Sequence, residues 1–208
     1  MKKITLAICC LSVGSVLASE SEQIAKGETL FNQNCVFCHQ ADAIGKPGLA
    51  PSLTNPELLE ISSDRYLMTT IRDGRRGTAM APYPHLGLEG IRSIVAYLRS
   101  FETRPNRAAE VDAQERAQGD PRFGQLWFEQ ICETCHGPGG DGYLAGGSGT
   151  AIGKAGFLSK VSDGFLRETI RKGRSNTRML PFQGPEGLAN LNSREIDDII
   201  SYMRTLTD

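Results

Sequence analysis

Histidine and tryptophan are nearly absent from this 208-residue chain, which holds three of the first and one of the second. Charge of either sign is not in surplus: 23 Lys+Arg stand against 24 Asp+Glu. No basic or acidic run forms a tail, and this excludes the electrostatic footprint of a nucleic-acid-binding protein. Sustained apolar–polar alternation is missing as well, which argues against β-sheet and for an all-α fold. Long apolar runs are also lacking. The stretch from Ile4 to about Val13, interrupted by Ser12, Gly14 and Ser15, is too short to cross a bilayer. Behind Met1-Lys2-Lys3, and ahead of Val16-Leu17-Ala18, it reads as a secretory signal peptide over residues 1–18, cut before Ser19. The reading predicts a periplasmic protein with no transmembrane segment after processing.

Spare cysteine is the next absence. Of six cysteines, Cys9 and Cys10 fall in the leader, and the other four form two motifs. These are Cys35-Val36-Phe37-Cys38-His39 and Cys132-Glu133-Thr134-Cys135-His136. No cysteine remains for a disulfide, although the compartment permits one. C-x-x-C-H is the attachment signature of a c-type haem: each thiol forms a thioether and the histidine meets the iron. A structural zinc site needs four Cys/His ligands and no obligatory adjacent histidine. A thioredoxin-like dithiol needs a βαβ setting. Two copies, each with its histidine, predict two covalently bound haem c groups on Cys35, Cys38, Cys132 and Cys135. His39 and His136 are then the proximal iron ligands.

Without Lys2 and Lys3 the basic residues fall to 21 against 24 acidic, a net charge of −3 before any haem carboxylate. The hydrophobic share of 39% is modest for two units of about ninety residues, which bury limited surface. Folding is therefore expected to depend on haem attachment.

The chain repeats itself. Ala43-Ile44-Gly45-Lys46-Pro47-Gly48 recurs as Ala151-Ile152-Gly153-Lys154-Ala155-Gly156, and Ser63 to Tyr83 matches Ser162 to Phe182. The last helices pair Ile91, Ile94, Val95, Leu98 and Phe101 with Ile196, Ile199, Ile200, Met203 and Leu206. Each repeat predicts a first helix with an apolar stripe (Ile24, Leu30, Phe31; Leu126, Trp127, Phe128) entering the C-x-x-C-H, then a glycine-rich loop. A middle helix follows, capped by Ser63 or Ser162 and ended at Gly74 or Gly173. The last helix is amphipathic, with Asn192 and Glu195 at capping-box spacing in the second repeat. Expected domains are 19–103 and 116–208, joined by a polar linker at 104–115. Its continuation to Gln118 is read as able to lengthen the next helix.

The sixth position on each iron admits methionine, a second histidine, or nothing. Met68 aligns with Arg167 and Met203 with Leu98, as helix residues. Met80 and Met179 align with each other in loops, 41 residues after His39 and 43 after His136, each two before a proline (Pro82, Pro181). They are the axial candidates; His85 has no counterpart. A thioether favours ferrous iron, and two filled axial positions suit an iron to electron transfer over catalysis.

On these motifs, the Ile-Arg-x-Gly-Arg runs and the methionine loops, the mature chain resembles tandem class I cytochromes c. It is similar to soluble two-haem bacterial cytochromes and to the di-haem subunit of cbb-type oxidases. The resemblance implies that Pro51 offers its carbonyl to the other ring nitrogen of His39. The second repeat lacks that proline, and a carbonyl near Gly156–Leu158 is expected to serve, leaving the two potentials unequal. The resemblance further implies a periplasmic carrier of single electrons between redox donor and acceptor proteins of a respiratory chain. Alternatives are a haem enzyme with one open iron (a peroxidase, or oxidation of a small sulfur anion) and an electron-delivering subunit of a larger complex. The arginines near the methionine loops (Arg72, Arg75, Arg76; Arg171, Arg174, Arg178) and Lys172 read as solvated or haem-carboxylate-pairing groups, or as a dock for an acidic partner.

Overall fold

The computed structural model describes the backbone of residues 12–185 and 187–207, with side chains from residue 19 onward. Residues 1–11 of the expected leader, including Cys9 and Cys10, lie outside these residues. The first repeat contains α1 (Ser12–Asn34), α2 (Val36–His39), α3 (Pro56–Ile61), α4 (Asp64–Asp73) and α5 (Gly87–Arg99). A short α6 (Ala108–Asp112) lies between the repeats. The second contains α7 (Pro121–Trp127), α8 (Glu133–His136), α9 (Ala155–Leu158), α10 (Asp163–Lys172) and α11 (Ser193–Thr205). Among the described residues no strand forms; Lys46 and Ala50 make an isolated bridge. The protein is all-α.

Local chemistry sets the helix ends. The Ser63 and Ser162 hydroxyls accept from the Tyr66 and Phe165 amides, satisfying donors that the first turn leaves free. Gly74 and Gly173 end α4 and α10 at φ of 64° and 65°, a region costly for other residues. Asn192 and Glu195 form the full capping box of α11. The linker does not extend α7. Asp120 caps that helix and Pro121 opens it, so the preceding residue is driven out of helical conformation. Residues 104–115 are also not a loose tether, because Ala108 and Val111 are buried.

Each core is built where the first and last helices of its repeat cross. Phe31, Ile91, Ile94 and Leu98 anchor one; Phe128, Ile196, Ile199 and Ile200 anchor the other. Fully burying each such side chain is worth about 1.5–3 kcal/mol. Small residues let the helices meet: a Cβ on Gly27 would stand 1.9 Å from the Ser93 carbonyl oxygen, and one on Gly124 1.9 Å from that of Asp198. Leu126, expected on the buried stripe, is exposed, while its neighbour Phe128 is fully buried. A π-helical segment, Phe128–Cys132, carries α7 into the second motif.

A second repeated device is a buried-facing arginine on each last helix. Arg99 donates to the Leu59 and Ser62 carbonyls and pairs with Asp64 at 2.8 Å. Arg204 does the same to Leu158, Val161 and Asp163. Each guanidinium ties the last helix to the end of one short helix and the start of the next.

The repeats pack against each other. Ile61 of the first repeat joins the second core, and the Tyr66 ring packs against that of Phe165, tilted by 47° with centroids 5.3 Å apart. Around this contact the Glu57 carboxylate accepts from the Ser175 amide and hydroxyl, and Arg107 bridges Glu60 and Glu168.

Candidate haem sites

In both repeats the C-x-x-C-H lies on one helical turn, Cys35 to His39 and Cys132 to His136, which places the thiols and the imidazole together. His39 Nδ1 lies 3.0 Å from the Pro51 carbonyl and His136 Nδ1 lies 2.7 Å from the Thr150 carbonyl. A carbonyl only accepts, so Nδ1 carries the proton in each ring and Nε2 keeps its lone pair. Burial lowers the pKa of both imidazoles, more than the carbonyls raise it, and the Arg75 charge lowers His136 further. Both rings are thus held neutral in the tautomer an iron ligand requires.

Thr150, and not a residue of Gly156–Leu158, meets His136. The likeness of Ala43–Gly48 to Ala151–Gly156 does not mark equivalent positions in the fold. The Leu53 amide donates to Ala43 and the Ile152 amide to Gly140, so Ala43 corresponds to Gly140 and Pro51 to Thr150. Gly45 and Gly142, each six residues past its histidine, press against Pro51 and the Thr150–Ala151 peptide with φ of 84° and 67°. The matching glycines were the legible signal; the Ala-Ile-Gly-Lys likeness was not structural.

Burial pushes the Cys35 thiol up to about 11 and the Cys132 thiol up to about 12, aided by neighbouring charge. Reactive dithiols and zinc ligands want the reverse, a stabilised thiolate. No group of three or more Cys, His, Asp or Glu among the described residues converges as a metal cage. The donor set instead fits haem: two neutral thiols, one neutral imidazole and an apolar core beside them.

The methionine loops are built alike. The Arg75 amide donates to the Met80 carbonyl at 3.0 Å, and the Arg174 amide to the Met179 carbonyl at 2.6 Å. The Thr78 and Thr177 hydroxyls accept from the Met80 and Met179 amides. Tyr83 and Phe182 then return to the Ile71 and Ile170 carbonyls at 3.1 Å each. Both methionines are half-buried; Met203 is packed in the core and His85 is exposed. Arg75 Nε and Arg174 Nη1 are buried without a partner in the protein, and a carboxylate-bearing group such as haem would meet such donors.

The family model for cytochrome c oxidase, cbb3-type, subunit III matches twice, over residues 22–98 and 119–203. The chain belongs to this family. It is a di-haem c-type cytochrome with two covalently bound haems, from a family of electron-transfer proteins. It is 30% identical over 197 residues to the cbb3-type oxidase subunit CcoP of Rubrivivax gelatinosus, covering 92% of this chain and 57% of that protein. With the FixP subunit of Bradyrhizobium diazoefficiens it shares 29% over 161 residues, 73% of this chain and 52% of the other. The cytochrome bc1 complex cytochrome c subunit of Mycobacterium bovis is 25% identical over 201 residues, 91% and 66% of the two chains. The cytochrome thus spans roughly half to two thirds of these relatives. A chain of the Kuenenia stuttgartiensis reducing HAO-like protein complex shares its fold at a TM-score of 0.50 and 19% identity, covering 88% of this chain and 96% of that one. No helix among the described residues is long and apolar enough to cross a membrane.

Proposed function

We propose that this cytochrome passes single electrons between a respiratory donor and acceptor through two iron centres that are each saturated by histidine and methionine. Cys35 and Cys38 hold the first haem and Cys132 and Cys135 the second. His39 and His136 are the proximal ligands, oriented by the Pro51 and Thr150 carbonyls, and Met80 and Met179 the distal ones. Bound haem supplies a one-electron ferric/ferrous couple; the protein's task is to fix both ligands so that little moves on reduction. The observation that carries this reading is the duplicated methionine loop, pinned in both repeats through the methionine's own carbonyl.

The proposed domains are 19–103 and 116–208, with 1–18 a removed signal peptide and the periplasm the compartment. The relatives' names favour one variant of this function, an electron-delivering subunit of a respiratory complex, and co-purification with an oxidase or bc1 assembly tests it. Carbon monoxide tests the saturated iron. The reduced protein is expected to show no prompt spectral shift on mixing. A prompt shift at either haem means an open iron and puts a catalytic role first.

A further inference from the structure

The arginines after the two capping glycines are equivalent in sequence, and their amides make the same bond to the methionine loop, yet their side chains part. Arg174 stays within its own repeat, donating to the Thr169 hydroxyl at 2.8 Å with its guanidinium over the Phe165 ring. The charges of Glu57 and Glu60 act on it from the first repeat. Arg75 crosses over. Its Nη2 donates to the Ala151 carbonyl at 2.8 Å, and its guanidinium carbon sits 4.6 Å above the Phe157 ring. Ala151 is joined directly to Thr150, whose carbonyl accepts the hydrogen bond from His136 Nδ1. The second repeat closes tightly on this arm. A Cβ on Gly156 would stand 2.5 Å from the Arg76 amide nitrogen, and Lys160 donates to the Thr69 and Gly74 carbonyls. Arg75 Nε remains a buried donor with no protein acceptor.

We propose that Arg75, although part of the first repeat, is a positioning residue of the second haem, lending that centre a positive charge and a hydrogen-bond donor. The inference rests on the reading that His136 ligates the second haem. A fixed cation in a poorly solvated wall favours the iron state carrying the extra electron. The second centre is then complete only when the repeats are docked, and its potential is set partly from the other domain. Arg174, which donates within its own repeat, makes no matching bond beside His39 among the described residues, so the two centres are unequal by construction.

The test is a redox titration of the two-haem protein that resolves both waves, with the second assigned by its fall in Met179→His. Arg75→Gln is expected to raise the second haem's ferric-to-ferrous ratio at fixed potential by about tenfold, roughly 59 mV for one electron. The first wave should stay in place, and Arg75→Lys should recover most of the shift. Two unmoved waves in Arg75→Gln, or movement of the first alone, overturns the proposal. An Arg75→Lys protein that shifts as far as Arg75→Gln assigns the effect to packing and overturns it too. If Arg75→Gln does not retain both haems, Arg75→Lys against Arg75→Met decides in the same way. A wild-type protein without a second haem wave overturns the underlying assignment of His136; two waves indifferent to Arg75 overturn this proposal alone.

Discussion

Single residues fix the two imidazoles, and beside the second there is no room for even one added methyl group. A Cβ on Gly149 would stand 2.8 Å from His136 Nδ1 and 3.1 Å from the Cys135 carbonyl oxygen. Contacts that short force a shift, and they would press on the nitrogen that the Thr150 carbonyl holds. Gly149→Ala is therefore expected to tilt His136 and alter one haem while sparing the other. Paramagnetic NMR of the oxidised protein should show one set of haem-methyl signals moved and the other unchanged. Both sets moving, or neither, contradicts the local account. The two motifs were legible because C-x-x-C-H sets its thiols and imidazole in five consecutive positions, and each set lies on one helical turn. Thr150 was not legible, because any residue can supply a carbonyl and only the folded loop says which one does.

Helices and their crossings come next in scale, and here the repeat guided the reading well. The serine caps, the terminal glycines and the apolar spacing of α5 and α11 are local signals, and they gave the right elements. What stayed hidden was tertiary. Gly27 and Gly124 look like poor helix residues until the partner backbone is seen against them, and Arg99 and Arg204 look like surface arginines until their carbonyl acceptors are known. The two glycines carry a direct prediction. Gly124→Ala should force α7 from α11 and cost about 1–3 kcal/mol, as overpacking does. Thermal melts of the holoprotein would show it as a lowered Tm, with Gly27→Ala close behind. An unchanged Tm in both would mean that the crossings are loose. The expected extension of α7 through Gln118 failed for a local reason, since Asp120 and Pro121 make a helix start.

For the whole molecule, docking of the repeats depends on carboxylates. Burial pushes Glu57, Glu60 and Glu168 up, but the Ser175, Arg107, Arg104 and Lys172 contacts outweigh it and hold all three below the ordinary glutamate value of 4.5. A carboxylate depressed in the folded state stabilises it fully above its free value and loses that contribution as pH falls. The interface is accordingly expected to hold above about pH 4.5 and to weaken progressively below it. Small-angle scattering across that range should show the molecule lengthening while both haems stay attached. A shape constant down to about pH 3, well below the free glutamate value, or a loosening on the alkaline side, would contradict it. The sequence repeat predicted two similar domains; it carried no sign of how they meet, because contacts such as Arg75–Ala151 and Glu57–Ser175 join residues with no shared pattern. Two His/Met centres in one chain would both report in the near-infrared sulfur-to-iron band of the oxidised protein, scaled to haem per chain. Two haems and a full-strength band are expected, the band halved in Met80→Ala, halved in Met179→Ala and lost when both are changed. A band of half strength in the wild type, or one indifferent to either methionine, would contradict it.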